Sequence, residues 1–130
     1  MAVRTGANNS HVRTLWSDLN NTATWQVHNT TSTLETRRTH LYGGHRGPAP
    51  AAWSGTRGFV DGNNDPLLGI VHLGARDYDP ASGRFLSPDP LLDLENPRQW
   101  NAYSYGGANP AMNPDPTGEI FPLIGEVFQR

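Results

Sequence analysis

The chain has 130 residues, 35% of them hydrophobic, with 14 glycines and 11 prolines. That is the length of one domain, with a modest core and many turns and short strands rather than long helices. A net charge of −2 gives no electrostatic footprint for nucleic acid or an anionic membrane. The absence of cysteine excludes disulfides, thiolate catalysis and cysteine-based zinc sites.

Residues 1–17 are polar and aperiodic and are expected to be a disordered leader. "TWQVH" (24–28) alternates, which predicts a strand with Trp25 and Val27 on one side. "NTTS" (29–32) supplies a turn, and "TLETRRTHLY" (33–42) a second, longer extended run, so 18–47 reads as a β-hairpin. Residues 48–56 form a Pro/Ala/Gly linker, where proline and glycine oppose regular structure.

Beyond the linker, "RGFV" (57–60) and "GIVHLGARDYD" (69–79) are strand-like, with a turn expected through "DGNNDP" (61–66). "PASG" (80–83) is a tight turn with Gly83 suited to a left-handed position, and "RFLS" (84–87) returns as a short strand. "NPRQWNAYSYGGANP" (96–110) is expected to open as a brief helical turn, with Trp100, Tyr103 and Tyr105 as packing area. Residues 111–118 must be irregular, because Pro114 and Pro116 remove donors. The segment 119–130 is an apolar tail whose spacing suits one side of a helix that Pro122 and Gly125 weaken. No apolar run approaches the roughly 20 residues of a membrane span, and no export signal follows Met1.

The histidines at 11, 28, 40, 45 and 72 lack HxxxH or HExxH spacing, so no metal is expected. "DGNND" (61–65) opens like a calcium loop, but Pro66 stands where glycine is needed and His72 where glutamate is needed. No GxSxG, Walker or GxGxxG motif occurs, and no cofactor is implied. What remains is four Asp-Pro pairs, at 65–66, 79–80, 89–90 and 115–116. Each alone is ordinary turn chemistry, since proline pushes the preceding aspartate to extended geometry.

Taken with their flanks they say more. "GARDYDPASGRFLSPDP" (74–90) followed by "NAYSYGGANPAMNPDPTG" (101–118) resembles the Rhs/YD-repeat family at its Rhs-associated core domain. The preceding 18–47 segment looks like the hairpin before the core in actinobacterial members, with Asn20 and Asn21 in place of a His-Gly pair. The resemblance implies an all-β fold of short antiparallel strands and hairpins, with long irregular loops and little helix. It places the core domain at 57–118 and the start of a variable C-terminal region at 119–130.

In that family, YD-repeat sheets coil into a hollow shell around a C-terminal toxin, and the core domain is an aspartyl autoprotease. The implied partners are therefore the rest of a shell and a C-terminal toxin segment, with no nucleic acid. Relatives in that family are secreted or lie at the cell surface, and the location of this chain stays unknown. Carried over by position, the catalytic acids are Asp89 and Asp115, with Arg76 as supporting cation. Gly118 would allow close backbone approach, and the scissile bond would join Glu119 to Ile120. Glu119 stands where the family has leucine, which replaces an apolar anchor with a charge near the acid pair. The departure leaves two further readings beside self-cleavage: a non-catalytic plug or cap of a shell, and an orphan truncated fragment.

Overall fold

The computed structural model describes residues 1–4, 6–7, 12–50, 53–91, 94–95, 97 and 100–119. Among them the fold is all-β, in two four-stranded antiparallel sheets, each with its strands in sequence order. The first sheet contains β1 (Ala2–Arg4), β2 (Val12–Ser17), β3 (Ala23–His28) and β4 (Leu34–Thr36). The second contains β5 (Asn63–Asp65), β6 (Ile70–Leu73), β7 (Arg76–Asp79) and β8 (Arg84–Phe85). Short loops join β2 to β3, β3 to β4 and the successive strands of the second sheet, as expected where consecutive strands pair directly.

The first sheet departs from the sequence expectation at its start. Residues 2–4 and 12–17, read as leader, form β1 and β2, and the register runs Ala2 to Thr14 and Arg4 to Val12. Their composition gives little periodic signal, and the pairing of β1 with β2 and of β2 with β3 orders them instead. Trp25 and Val27 do share a face, but that face is the exposed one, and Trp25 is paired with an equally exposed Trp16. The buried partner is Gln26, fully enclosed beside Leu15. Its amide is satisfied there: Nε2 donates to Glu35, and Oε1 accepts the Ser54 N–H at 3.0 Å. A buried amide with both ends bonded carries little penalty.

The run 33–42 is also shorter than expected, because β4 stops at Thr36. Arg37 turns inward, donating from Nε to the Ala23 carbonyl and from Nη2 to the Arg57 carbonyl, both at 2.8 Å. Its guanidinium lies 4.1 Å from the centre of the Trp53 ring. Burial lowers the Arg37 pKa to about 10.

In the second sheet the strand expected at 57–60 is a 3₁₀ turn, Phe59–Asp61. Val60 and Asp61 adopt positive φ (50° and 58°), an outlier for a β-branched residue. Surrounding bonds hold it there: the Val60 N–H donates to Thr22 Oγ1 at 3.1 Å, and the Asp61 N–H to the Asn21 carbonyl at 2.9 Å. These bonds tie the β2–β3 turn of one sheet to the entry of the other. The expected turn at 61–66 lies later, at 66–69, because Asn63–Asp65 pairs with β6. The run 69–79 is two strands, β6 and β7, folded on the turn at Gly74–Ala75.

The core sits on the second sheet. Phe59, Val60, Val71, Leu73, Tyr78, Phe85 and Tyr105 form one buried cluster. Tyr78 is at its centre, with its ring 4.8 Å from Tyr105, 5.5 Å from Phe85 and 5.6 Å from Phe59. Its hydroxyl donates to the Tyr42 carbonyl at 2.6 Å, which satisfies the polar end of a fully buried ring. Of the three aromatics expected to pack over 96–110, only Tyr105 does so; Trp100 and Tyr103 are exposed. Pro97, at the opening of that stretch, is 3₁₀, its carbonyl accepting the Trp100 N–H at 3.4 Å, and a further 3₁₀ turn follows at Gly106–Ala108. Residues 111–118 are irregular, as their prolines require. The helix considered for the tail lies outside the described residues.

Candidate functional site

Each Asp-Pro pair is first a turn. Asp65 Oδ1 accepts the backbone N–H groups of Leu67 and Leu68, Asp79 Oδ1 that of Ala81, and Asp89 Oδ1 that of Leu91. Proline removes one donor and fixes the bend, and the carboxylate then caps the next free N–H. At Asp115 the corresponding oxygen accepts the Thr117 hydroxyl at 3.2 Å. The turn reading therefore holds at all four.

What separates Asp89 and Asp115 from the other two is the second oxygen. Both Oδ2 atoms reach a single nitrogen, Arg76 Nη2, at 3.1 Å from Asp89 and 3.4 Å from Asp115. The three side chains sent forward from the sequence thus meet at one buried point, with side-chain exposures of 2% for Arg76, 12% for Asp89 and 8% for Asp115. Strand β7 positions the arginine, with Tyr78 facing the core from the same side of that strand.

The remaining donors of Arg76 are also used. Nη1 donates to the Ala102 carbonyl at 3.2 Å, and Nε to the Gly118 carbonyl. The guanidinium carbon lies 3.6 Å from the centre of the Phe85 ring. A planar, always charged fork that meets two carboxylates, two carbonyls and a ring face is a task that lysine cannot perform.

Asp115 is held from several directions. Its N–H donates to the Tyr105 hydroxyl at 3.0 Å. Burial pushes its carboxyl pKa above the usual 3.8, and the charge of Asp89 pushes in the same direction. Bonds from Thr117 and the Gly118 N–H, together with the charge of Arg76, pull against that shift without cancelling it. Tyr105 is itself pushed up to about 12, chiefly by its burial.

Gly118 packs without clearance. Its φ is +63°, and a Cβ there would lie 2.1 Å from the Leu73 carbonyl oxygen. Gly74 makes the reciprocal approach, with a Cβ position 2.1 Å from the Thr117 carbonyl oxygen, to which the Ala75 N–H donates at 2.8 Å. The DPTG turn is thus seated on the β6–β7 turn, backbone against backbone. Glu119 is exposed, with its N–H directed at the Thr117 hydroxyl at 3.4 Å. Ile120 lies outside the described residues. Sequence reasoning missed Tyr105, Thr117 and Ala102; Tyr105 was assigned to packing, and backbone acceptors such as Ala102 carry no residue-type signal.

No cluster of three or more histidines, aspartates or glutamates suited to a metal occurs among the described residues. Among them, too, no helix is long and apolar enough to cross a membrane.

Comparison with known proteins agrees with this architecture. Residues 50–111 match the sequence profile described as the teneurin YD-shell. The chain is 48% identical over 62 residues to the tRNA nuclease WapA of Bacillus subtilis (strain 168), covering 46% of this chain and 3% of that protein. It is 40% identical over 60 residues to human teneurin-4, covering 43% of this chain and 2% of that protein. The crystal structure of TcdB2-TccC3-Cdc42 superposes with a TM-score of 0.65 at 23% identity, covering 83% of this chain and 5% of the matched one. The last comparison bears on the fold alone. The chain spans only a few hundredths of the length of the curated relatives it matches. With the motif pair 74–90 and 101–118 and the shell profile over 50–111, this chain carries a segment of the Rhs/YD-repeat family.

Proposed function

We propose that residues 57–118 are the terminal core of an Rhs-type toxin shell and cut the chain once, between Glu119 and Ile120. The observation that carries this reading is the convergence of Asp89 and Asp115 on one nitrogen of Arg76, whose Nε also holds the Gly118 carbonyl. Two carboxyl groups in unequal surroundings can divide acid and base roles. Asp115, whose burial favours the protonated form, is the acid. Asp89, ion-paired with Arg76, is the base.

In this mechanism Asp89 takes a proton from water as the water oxygen attacks the Glu119 carbonyl carbon. Asp115 gives its proton to the Ile120 nitrogen as the C–N bond breaks, leaving a carboxyl group on Glu119 and an amine on Ile120. Holding Gly118 in place makes the reaction intramolecular, which supplies high effective molarity. Release of a C-terminal toxin segment from a shell is the use to which such a cut would be put.

A non-catalytic cap is the second reading, and one observation favours it. The Asp115 carboxylate already receives the Thr117 hydroxyl, the Gly118 N–H and Arg76, as a purely structural clasp would require. The intact mass of the purified chain, beside Asp115→Asn and Glu119→Leu variants, separates the two. Loss of residues 120–130 from the parent but not from Asp115→Asn supports cleavage. Cleavage only in Glu119→Leu assigns a working acid pair with a spoiled subsite. An uncut mass in all three folded chains leaves the cap.

A further inference from the structure

The first sheet has a face that the self-cleavage reading does not use. Trp16 and Trp25 stand directly opposite each other on β2 and β3, and Val27 stands opposite Leu34 on the same face. Trp16 is 49% exposed, Trp25 54% and Leu34 56%. Together they floor an open groove of about 790 Å³, whose rim carries Arg38 and Arg46. Two large aromatics and a leucine left in water on one face are uncommon unless something covers them.

The charges decide what kind of partner fits. Arg38 and Arg46 are exposed neighbours, joined by the Arg46 N–H to Arg38 carbonyl bond at 2.9 Å. Among the described residues, neither has a carboxylate within ion-pair reach. The acid at the groove, Asp18, turns Oδ1 to the N–H groups of Asn20 and Thr22, both at 2.9 Å. A third arginine, Arg37, is buried and fully engaged with carbonyls and Trp53. The groove therefore offers apolar area in its floor and unmatched positive charge at its rim.

We infer that this face binds an extended peptide that carries carboxylates beside apolar side chains. Tryptophan and arginine are the residues that most often dominate protein interfaces, the first through buried area and the second through carboxylate pairing. The aliphatic half of the floor, Val27 and Leu34, suits apolar side chains better than the stacked bases of a single-stranded nucleic acid. A net charge of −2 also supplies no wider positive field for a polyanion. A neutral sugar would cover the tryptophans but leave both arginines unmatched.

The full chain can be titrated against a fluorescein-labelled octapeptide of alternating Glu and Phe, and against the matched Lys/Phe peptide, with anisotropy as readout. Saturable binding of the Glu peptide is expected, weaker at high salt and weakened at least about tenfold in Arg38→Glu/Arg46→Glu, which should bind the Lys peptide instead. Trp16→Ser should weaken both peptides. The two arginines are surface residues, so the charge-reversed chain keeps its fold, and circular dichroism checks this. No binding of the Glu peptide would overturn the inference, as would binding that ignores the charge reversal. Preferential binding of a single-stranded oligonucleotide or a neutral oligosaccharide at this face would also overturn it, as would self-association that buries it.

Discussion

Arg76 and Gly118 are joined across 42 residues of sequence by a bond from the guanidinium Nε to the glycine carbonyl. The same guanidinium balances two acids on another of its nitrogens, so a single side chain links sheet, loop and DPTG turn. Arg76→Ala should cost about 3–5 kcal/mol, because it strands two largely buried carboxylates. Arg76→Lys should recover only part of that, since one ammonium cannot serve four acceptors. Urea denaturation of parent and variants reads both values.

The raised pKa of Asp115 gives a signed pH dependence. A carboxyl whose folded pKa lies above its usual 3.8 binds its proton more tightly in the fold than in the unfolded chain. Its favourable contribution is complete below 3.8 and is lost as pH rises through the raised value. The Asp115→Asn variant, which never ionises there, should therefore gain stability relative to the parent as pH climbs from about 3 to about 7. Paired denaturation curves across that range test the slope, and a flat difference would contradict the shift.

Glycine substitutions should sort by contact. Gly118→Ala and Gly74→Ala each drive a Cβ to 2.1 Å from a backbone carbonyl oxygen at positive φ. Each should destabilise by more than about 1–3 kcal/mol and free the DPTG turn, visible as faster exchange of the Ala75 amide. Gly69→Ala has the same sign of φ but nothing within 4 Å, so its cost should stay near the left-handed penalty of about 1–2 kcal/mol.

Tyr105→Phe keeps the ring in the core and removes the acceptor for the Asp115 N–H. A buried donor left unpaired should cost about 1–3 kcal/mol in a thermal or urea melt. Under the self-cleavage reading, the same change should slow the cut while leaving its position between Glu119 and Ile120 unchanged, which intact mass over time would show.

The strands whose side chains alternate over several residues, β3, β6 and β7, were legible in the sequence, as was the turn closed by Gly83. The meeting of Arg76, Asp89 and Asp115 was legible only through the family resemblance, since nothing in their spacing places residues 76, 89 and 115 together. β1 was not legible, because three residues give no period to read, and its order comes from bonds to β2. Val60 was unreadable for a different reason. Its type favours a strand, yet the Thr22 hydroxyl and the packing around Phe59 hold it in a left-handed turn. At β3 it is Gln26 and not the neighbouring Trp25 that is buried, and the Glu35 carboxylate and Ser54 N–H that satisfy its amide lie outside any local pattern.

The seating of the DPTG turn also fixes an order of events during synthesis. A ribosome delivers Arg76 first, Asp89 thirteen residues later and Asp115 with Gly118 last of all. Until that final stretch leaves the exit tunnel, the guanidinium has one acid and no glycine carbonyl, and Asp89 has no second acid beside it. Under the self-cleavage reading, the cut cannot precede synthesis of the DPTG turn, because only then is the arrangement complete.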